Sequence, residues 1–376
     1  MSTRYLPDSL FDGDVIRHNV AIVVENGAIV ALAQPTGGET RLSGMLAPGF
    51  IDVQVNGGGG VLFNSTTTVA GLSTIIETHS RYGTCGMMPT LITDSVEVMQ
   101  QAADAMSEAI AAKVPGILGI HFEGPHLSVE KKGVHSTAFI RRLSDQEKAI
   151  FSRQDLGLKM VTLAPENVAP EDIHYLAEIG VRVCLGHSNA TCEQTQKALS
   201  AGATGFTHLF NAMSPFTSRA PGVVGAALED ADSWCGLIVD GFHVHPSAAK
   251  VALAAKKRGK IMLVTDAMPP VGTEDTSFEF FGSSVIRSGD RLNALTGELA
   301  GSCLDMAGAV KNSVQTLDVS VEEALRMASL YPAEYLQIDD QQGRLQPGYQ
   351  ANFVLLDSDL TVTRCWIDGN SVYNAV

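Results

Sequence analysis

Apolar and polar positions alternate along the chain in a coarse rhythm. Short apolar runs recur at LAPGFIDVQV (46–55), TCGMMPTLIT (84–93), GILGIHFE (116–123), LKMVTLA (158–164), VRVCLGH (181–187), TGFTHLF (204–210), CGLIVDG (235–241) and IMLVTDA (261–267). Runs of this length, without strict alternation, suit parallel strands buried on both faces. Helical patterns separate them, such as SVEVMQQAADAMSEAIAAK (95–113) and PSAAKVALAAKKRG (246–259), the second with Pro near its start and Gly at its end. Eight strands alternating with helices predict an α/β fold of the (β/α)₈ TIM-like barrel type. A doubly wound open sheet is the competing architecture. No G-x-G-x-x-G or G-x-x-x-x-G-K follows any of the runs, which favours the barrel.

The two ends of the chain carry a different pattern. VAIVVENGAIVALA (20–33) reads as a hairpin turning at Asn26-Gly27, and the C-terminal GYQANFVLLDSDLTVTRCWIDGNSVYNAV as strands with a turn at Asp368-Gly369. These segments predict a small discontinuous accessory β domain, residues 1–45 with 344–376, flanking a catalytic barrel at 46–343. SFEFFGSSVI and GDRLNAL, within 271–298, predict a further β excursion after the eighth strand.

Charge narrows the partners. With 26 basic and 41 acidic residues, the net charge of −15 opposes binding to nucleic acid or to an anionic membrane, so an anionic ligand needs a local basic site. No apolar run approaches the roughly 18 residues of a membrane span. MSTRYLPDSLFDGD at the N-terminus lacks the apolar core of a secretory leader, so a cytoplasmic location is expected. The six cysteines form no C-x-x-C pair and are expected to be buried free thiols.

In such barrels chemistry collects where strands end and loops leave for the helices. Gln54 and Asn56 end the first run, Glu123 the third, His187 the fifth, His208 the sixth and Asp266 the eighth, with His243 just after the seventh. A lone strand-end histidine is usually a hydrogen-bonded structural residue; this joint placement is not. Glu123, His187 and His208 form the donor set of an open site for one divalent ion, zinc first among the divalent transition metals. Asp266 is placed to act as general base toward a water at that ion. Asp52, Gln54 and Asn56 share one face of the first strand, and three polar side chains there need partners if that face is buried.

PGFID, the strand-end histidines, TDA and the C-terminal GRLQPGYQANFVLLD together resemble the metal-dependent amidohydrolase superfamily. Within it, FEGPH with KKGVHS, LGHSNAT, THLFNAMSP, DGFHVHP, LVTDAMPP and LAGSCLDM resemble the N-acetylglucosamine-6-phosphate deacetylases. The resemblance runs from about residue 46 to beyond 350. Many superfamily members carry H-x-H at the end of the first strand, for a second metal ion. Gln54 and Asn56 occupy those positions here, so the resemblance implies a one-metal protein in which they serve as outer shell or as a weak second site, with His121 as a further candidate for that site.

The resemblance also implies roles for substrate residues. His135 polarises the acetamide carbonyl, and Arg219 and His243 meet the sugar phosphate. Asn211, Ala212 and Gly301 contact sugar hydroxyls, and Val134, Asp240, Leu299 and Ala300 complete the substrate site. The implied reaction removes acetate from N-acetylglucosamine 6-phosphate, leaving glucosamine 6-phosphate, with Asp266 first as base and then as acid. The galactosamine epimer, a cyclic-amide or aminohydrolase, and a non-catalytic barrel scaffold are the alternatives. A homodimer or homotetramer is expected, with Arg219 at or near a shared site.

Overall fold

A computed structural model describes residues 2–375. The eight apolar runs become parallel strands: β1 (Phe50–Val55), β2 (Thr84–Ile92), β3 (Gly119–Glu123), β4 (Leu158–Leu163), β5 (Val181–Leu185), β6 (Gly205–Phe206), β7 (Trp234–Leu237) and β8 (Ile261–Leu263). Each pairs with its neighbour in chain order. The ring is drawn together where Val55 bridges Ala267. There Asp266 N donates to Gln54 O (3.0 Å) and Asn56 N to Ala267 O (2.9 Å). The barrel thus meets itself at the two strand ends that carry the polar row and Asp266.

Helices fill the crossovers. The one over Val96–Ala111 is capped by Ser95 and buries Met99, Ala102, Ala103 and Met106. The helix expected over 246–259 instead runs Pro246–Ala255. It stops early because Lys256 turns inward, donating to Ala227 O (2.7 Å), Ser233 Oγ (3.0 Å) and the carbonyl of Asp230. A buried ammonium needs those acceptors, and their geometry outranks helix continuation.

The chain ends meet in a second sheet. Thr40–Pro48 pairs in parallel with Thr3–Phe11 and antiparallel with Phe353–Leu356, which continues to Val362–Ile367 and Asn370–Asn374. Leu46, Phe353 and Trp366 lie in its buried core. Asn26-Gly27 and Asp368-Gly369 turn two of its hairpins, all four residues with positive φ, as tight two-residue turns require. The excursion within 271–298 forms a three-stranded antiparallel sheet (Ser277–Phe280, Ser283–Ser288, Arg291–Ala294). Phe280, Val285 and Leu292 pack it against Ile92 and Met268, close to the C-terminal ends of β2 and β8. Among the described residues no helix is long and apolar enough to cross a membrane.

β3 and β4 approach closely at Gly119, where an added Cβ would lie 1.9 Å from Leu158 O. Backbone on both sides cannot yield as a side chain would. Gly119→Ala is expected to destabilise the fold by about 2–4 kcal/mol, read as a lower urea midpoint at unchanged slope. An unshifted midpoint would show that the two strands are not held this tightly.

Candidate metal and active site

Glu123 ends β3, and His187 and His208 stand just past β5 and β6. His187 (φ 47°), His208 (φ 33°) and Asp266 (φ 53°) all adopt left-handed backbone, which disfavours side chains bearing Cβ and collects at functional sites. Their donors converge. His208 Nε2 lies 3.1 Å from Glu123 Oε1 and 3.0 Å from His187 Nε2, and His187 Nε2 lies 3.3 Å from the same Glu123 oxygen. These separations are close to the edge of about 3.4 Å of a tetrahedron with zinc–ligand bonds near 2.0–2.1 Å. The His187 Nδ1–H donates to Lys131 O (2.8 Å), which leaves Nε2 as the free lone pair facing the other two groups. His208 Nδ1 and Asn56 Oδ1 are buried without a partner among the described residues, so polar capacity remains in the cluster. The donor set fits a divalent metal ion.

His135 lies alongside. Glu123, His135 and His187 each offer an atom within 4.8 Å of the others, and the rings of His135 and His187 meet edge to face at 4.3 Å. His135 Nδ1 is bound to Thr93 Oγ1 (2.9 Å). His208 makes the tighter triad and His135 flanks it.

The polar row on β1 finds its partners here. Gln54 Nε2 donates to Glu123 Oε1 (3.1 Å) and to Asp266 Oδ1 (3.2 Å), and Asn56 Nδ2 donates to Asp266 Oδ1 (2.7 Å). Two carboxylates crowded into one buried site repel, and amide donors between them offset part of that cost. Deeper in the barrel, Asp52 accepts from Thr265 Oγ1 (2.5 Å) and from the backbone N–H of Gln54 (3.1 Å). His121 is occupied at both nitrogens, by Thr90 Oγ1 (3.1 Å) and Thr162 Oγ1 (2.7 Å), as a satisfied interior histidine. Gly59 and Gly60 (φ 63° and 80°) turn the hairpin joining Gly57–Gly58 to Val61–Leu62, so the glycine run shapes a loop beside β8.

Burial and charge set the electrostatics. Burial pushes the Glu123 carboxyl up, but hydrogen bonds from His187 and His208 overcome it and hold the group well below its usual range. Burial and then the Glu123 charge push Asp266 up, toward the range of a useful proton acceptor. His135 is held well below the ordinary imidazole value, first by burial and then by His187.

A cavity of about 280 Å³ opens over this cluster. Asn56, Val134, His135, Asn211, Ala212, His243, Leu299 and Gly301 line it with the metal-type residues and Asp266. Gly301 (φ 61°) backs directly onto Asp266 O, 2.8 Å from where a Cβ would stand. Three residues of the expected substrate set lie elsewhere. Ala300 is buried in the core beneath the β excursion. Asp240 binds the His243 ring (Oδ2 to Nδ1, 2.6 Å) and accepts the backbone N–H groups of Phe242 and His243, so it orients that histidine. Arg219 is exposed and outside the lining of the cavity. Glu130, Lys131, Ile92 and Met268 also line the cavity, and sequence reasoning did not place them. Lys131 had a signal, the charged KKG stretch beside His135.

A parallel barrel with a carboxylate and two imidazoles converging on a polar cavity, and a further carboxylate beside them, is the arrangement of a metal-dependent hydrolase. The amidohydrolase family profile matches residues 45–372, and the chain belongs to that family. Among its relatives, the N-acetylgalactosamine-6-phosphate deacetylase of Shewanella sp. (strain ANA-3) is 48% identical over 97% of this chain and 94% of its own. The N-acetylglucosamine-6-phosphate deacetylase of Haemophilus influenzae is 37% identical over 95% of each chain. The crystal structure of the Pasteurella multocida N-acetylglucosamine-6-phosphate deacetylase superposes with a TM-score of 0.95 at 35% identity, covering 99% of both chains.

Burial lifts Asp52 to about 7, against the hydrogen bonds from Thr265 and Gln54 that pull it down. An acid whose folded pKa exceeds its unfolded value of 3.8 holds its proton more tightly when folded. Its contribution to stability is therefore greatest at low pH, falls as pH rises from about 4, and levels off above about 7. In metal-free protein, Asp52→Asn should remove that slope, so the variant gains on the wild type by on the order of 1–4 kcal/mol between about pH 4 and 8. Parallel stability curves from urea unfolding would refute this.

Proposed function

We propose that this protein hydrolyses the acetamide of an N-acetylhexosamine 6-phosphate, releasing acetate and the free amino sugar. The observation that carries the reading is the Asp266 carboxylate beside the converging Glu123, His187 and His208, in a chain so similar to deacetylases over nearly its whole length. N-Acetylglucosamine 6-phosphate is the substrate that the sequence motifs support. The galactosamine epimer is a second reading, supported by the 48% relative's name.

Glu123, His187 and His208 would hold one divalent ion, zinc in our reading, which when bound acts as a Lewis acid and makes water ionisable near neutral pH. Asp266 accepts the water proton as its oxygen attacks the acetyl carbon. It then delivers that proton to the departing nitrogen, because the amine cannot leave as an anion. Asn56 and Gln54 hold Asp266 in place for both transfers. His135 donates to the carbonyl oxygen as charge develops there. His243, fixed by Asp240, presents its Nε2 to the sugar phosphate. Arg219, exposed on this chain, supplies a guanidinium to the phosphate across a subunit boundary of a homodimer or homotetramer. A cytoplasmic sugar-phosphate hydrolase accords with free cysteines, five of them buried.

Steady-state rates on the two 6-phosphorylated epimers test the substrate, and no turnover of either would refute the reading. Asp266→Asn should bind metal as the wild type does while losing turnover by roughly 10²-fold or more. Wild-type turnover in that variant would remove Asp266 from the mechanism. The unphosphorylated sugars should be much poorer substrates, since binding energy at the phosphate positions the acetamide. Equal kcat/KM with and without phosphate would take His243 and Arg219 out of their roles.

A further inference from the structure

Ile92 and Met268 line the cavity without offering a charge or a donor, yet both stand beside its chemistry. Ile92 ends β2 and pairs in register with Glu123 on β3, and Met268 follows Asp266 by two residues. They are 3% and 1% exposed. Both belong to one apolar cluster, with Leu62, Phe280, Val285 and Leu292 packed around them and Val134 against its edge.

This wall is held firmly. Asn64 binds Ile92 as a neighbouring strand would, its Nδ2 donating to Ile92 O (2.8 Å) and its Oδ1 accepting from Ile92 N (3.0 Å). Met268 lies against the bare Cα of Gly301, where a Cβ would stand 2.4 Å from Met268 Cγ. Side chains packed in this way have little room to retreat from a larger guest.

A secondary amide is trans, so the acyl methyl points away from the sugar carbon on the nitrogen. In the proposed complex the sugar phosphate meets His243, after β7, and the sugar runs past Asn211, after β6. With the carbonyl carbon between the Glu123 cluster and Asp266, the methyl is directed to the other side of the mouth. β2 stands opposite β6 in an eight-stranded ring. There Ile92, joined by Met268 across the barrel seam, presents the apolar surface that a methyl group needs.

We propose that Ile92 and Met268 form the wall that receives the acyl methyl, and that they set the length of acyl chain this site hydrolyses. The proposal rests on the deacetylase reading and on its placement of the phosphate at His243.

The test compares kcat/KM of zinc-loaded protein on the N-acetyl, N-propanoyl and N-butanoyl forms of whichever hexosamine 6-phosphate it turns over faster. The wild type should favour acetyl over propanoyl by roughly 10- to 200-fold, with butanoyl poorer still. Ile92→Ala and Met268→Ala should each move the propanoyl-to-acetyl ratio by about 10-fold or more toward propanoyl. Their preference for phosphorylated over unphosphorylated sugar should stay at the wild-type value. Ile92→Val, one carbon smaller, should move the acyl ratio severalfold in the same direction, and it carries the test if the alanine variants do not fold. Wild-type acyl ratios in zinc-loaded Ile92→Val and Met268→Ala overturn the proposal. So does a loss of phosphate preference in step with the acyl change, which marks a generally loosened cavity. An active wild type with a flat acyl profile overturns the acyl wall alone, whereas a wild type inactive on both N-acetyl epimers overturns the deacetylase reading beneath it.

Discussion

The site depends on holding two buried carboxylates, Glu123 and Asp266, side by side without letting their repulsion protonate one of them permanently or open the barrel. The amide of Gln54 touches both, and that of Asn56 touches Asp266 again. These neutral donors ease the repulsion without adding a cation that would compete for the same oxygens. Glu123 is meanwhile biased to its ionised form by two imidazoles, and Asp266 is pushed up by burial and the neighbouring charge. Like groups in one cavity are thus driven apart in basicity by their surroundings, which suits one to metal ligation and the other to proton transfer.

Barrel closure supplies this placement. Gln54 and Asn56 lie on the first strand and the segment after it, while Asp266 follows the last, and the backbone bonds that bring these ends together set the side-chain contacts. A slip of one residue at the seam would turn Gln54 and Asn56 to the other face. The left-handed backbone at His187, His208 and Asp266 carries a local cost that the packed core beneath must outweigh. Site and seam are one structure, which is why the polar row tolerates full burial.

Much of this was legible in the sequence. The eight apolar runs, the strand-end positions of Glu123, His187, His208 and Asp266, and the Asn26-Gly27 and Asp368-Gly369 turns follow from short-range patterns that packing does not overturn. Other parts depend on contacts distant in the chain and leave no local mark. Asp240 reads as a substrate residue until its bond to the His243 ring is seen. Thr93 reads as the end of a strand, and its hydroxyl's contacts with Glu123 and His135, 30 and 42 residues away, leave no local mark. The early stop of the helix at Ala255 needs the inward path of Lys256, which apolar periodicity cannot reveal.

The overall charge of −15 and the anionic ligand of the proposed reaction pull in opposite directions. The cavity answers locally. Lys131 lines it, His243 is held in it by a carboxylate outside its lining, and the two acids nearest the chemistry are engaged by amides and imidazoles. Long-range attraction is therefore weak, and recognition falls to groups that act at hydrogen-bonding distance. Such a site selects by shape and donor placement more than by steering. The same logic explains why amide donors, rather than further charges, carry so much of its design.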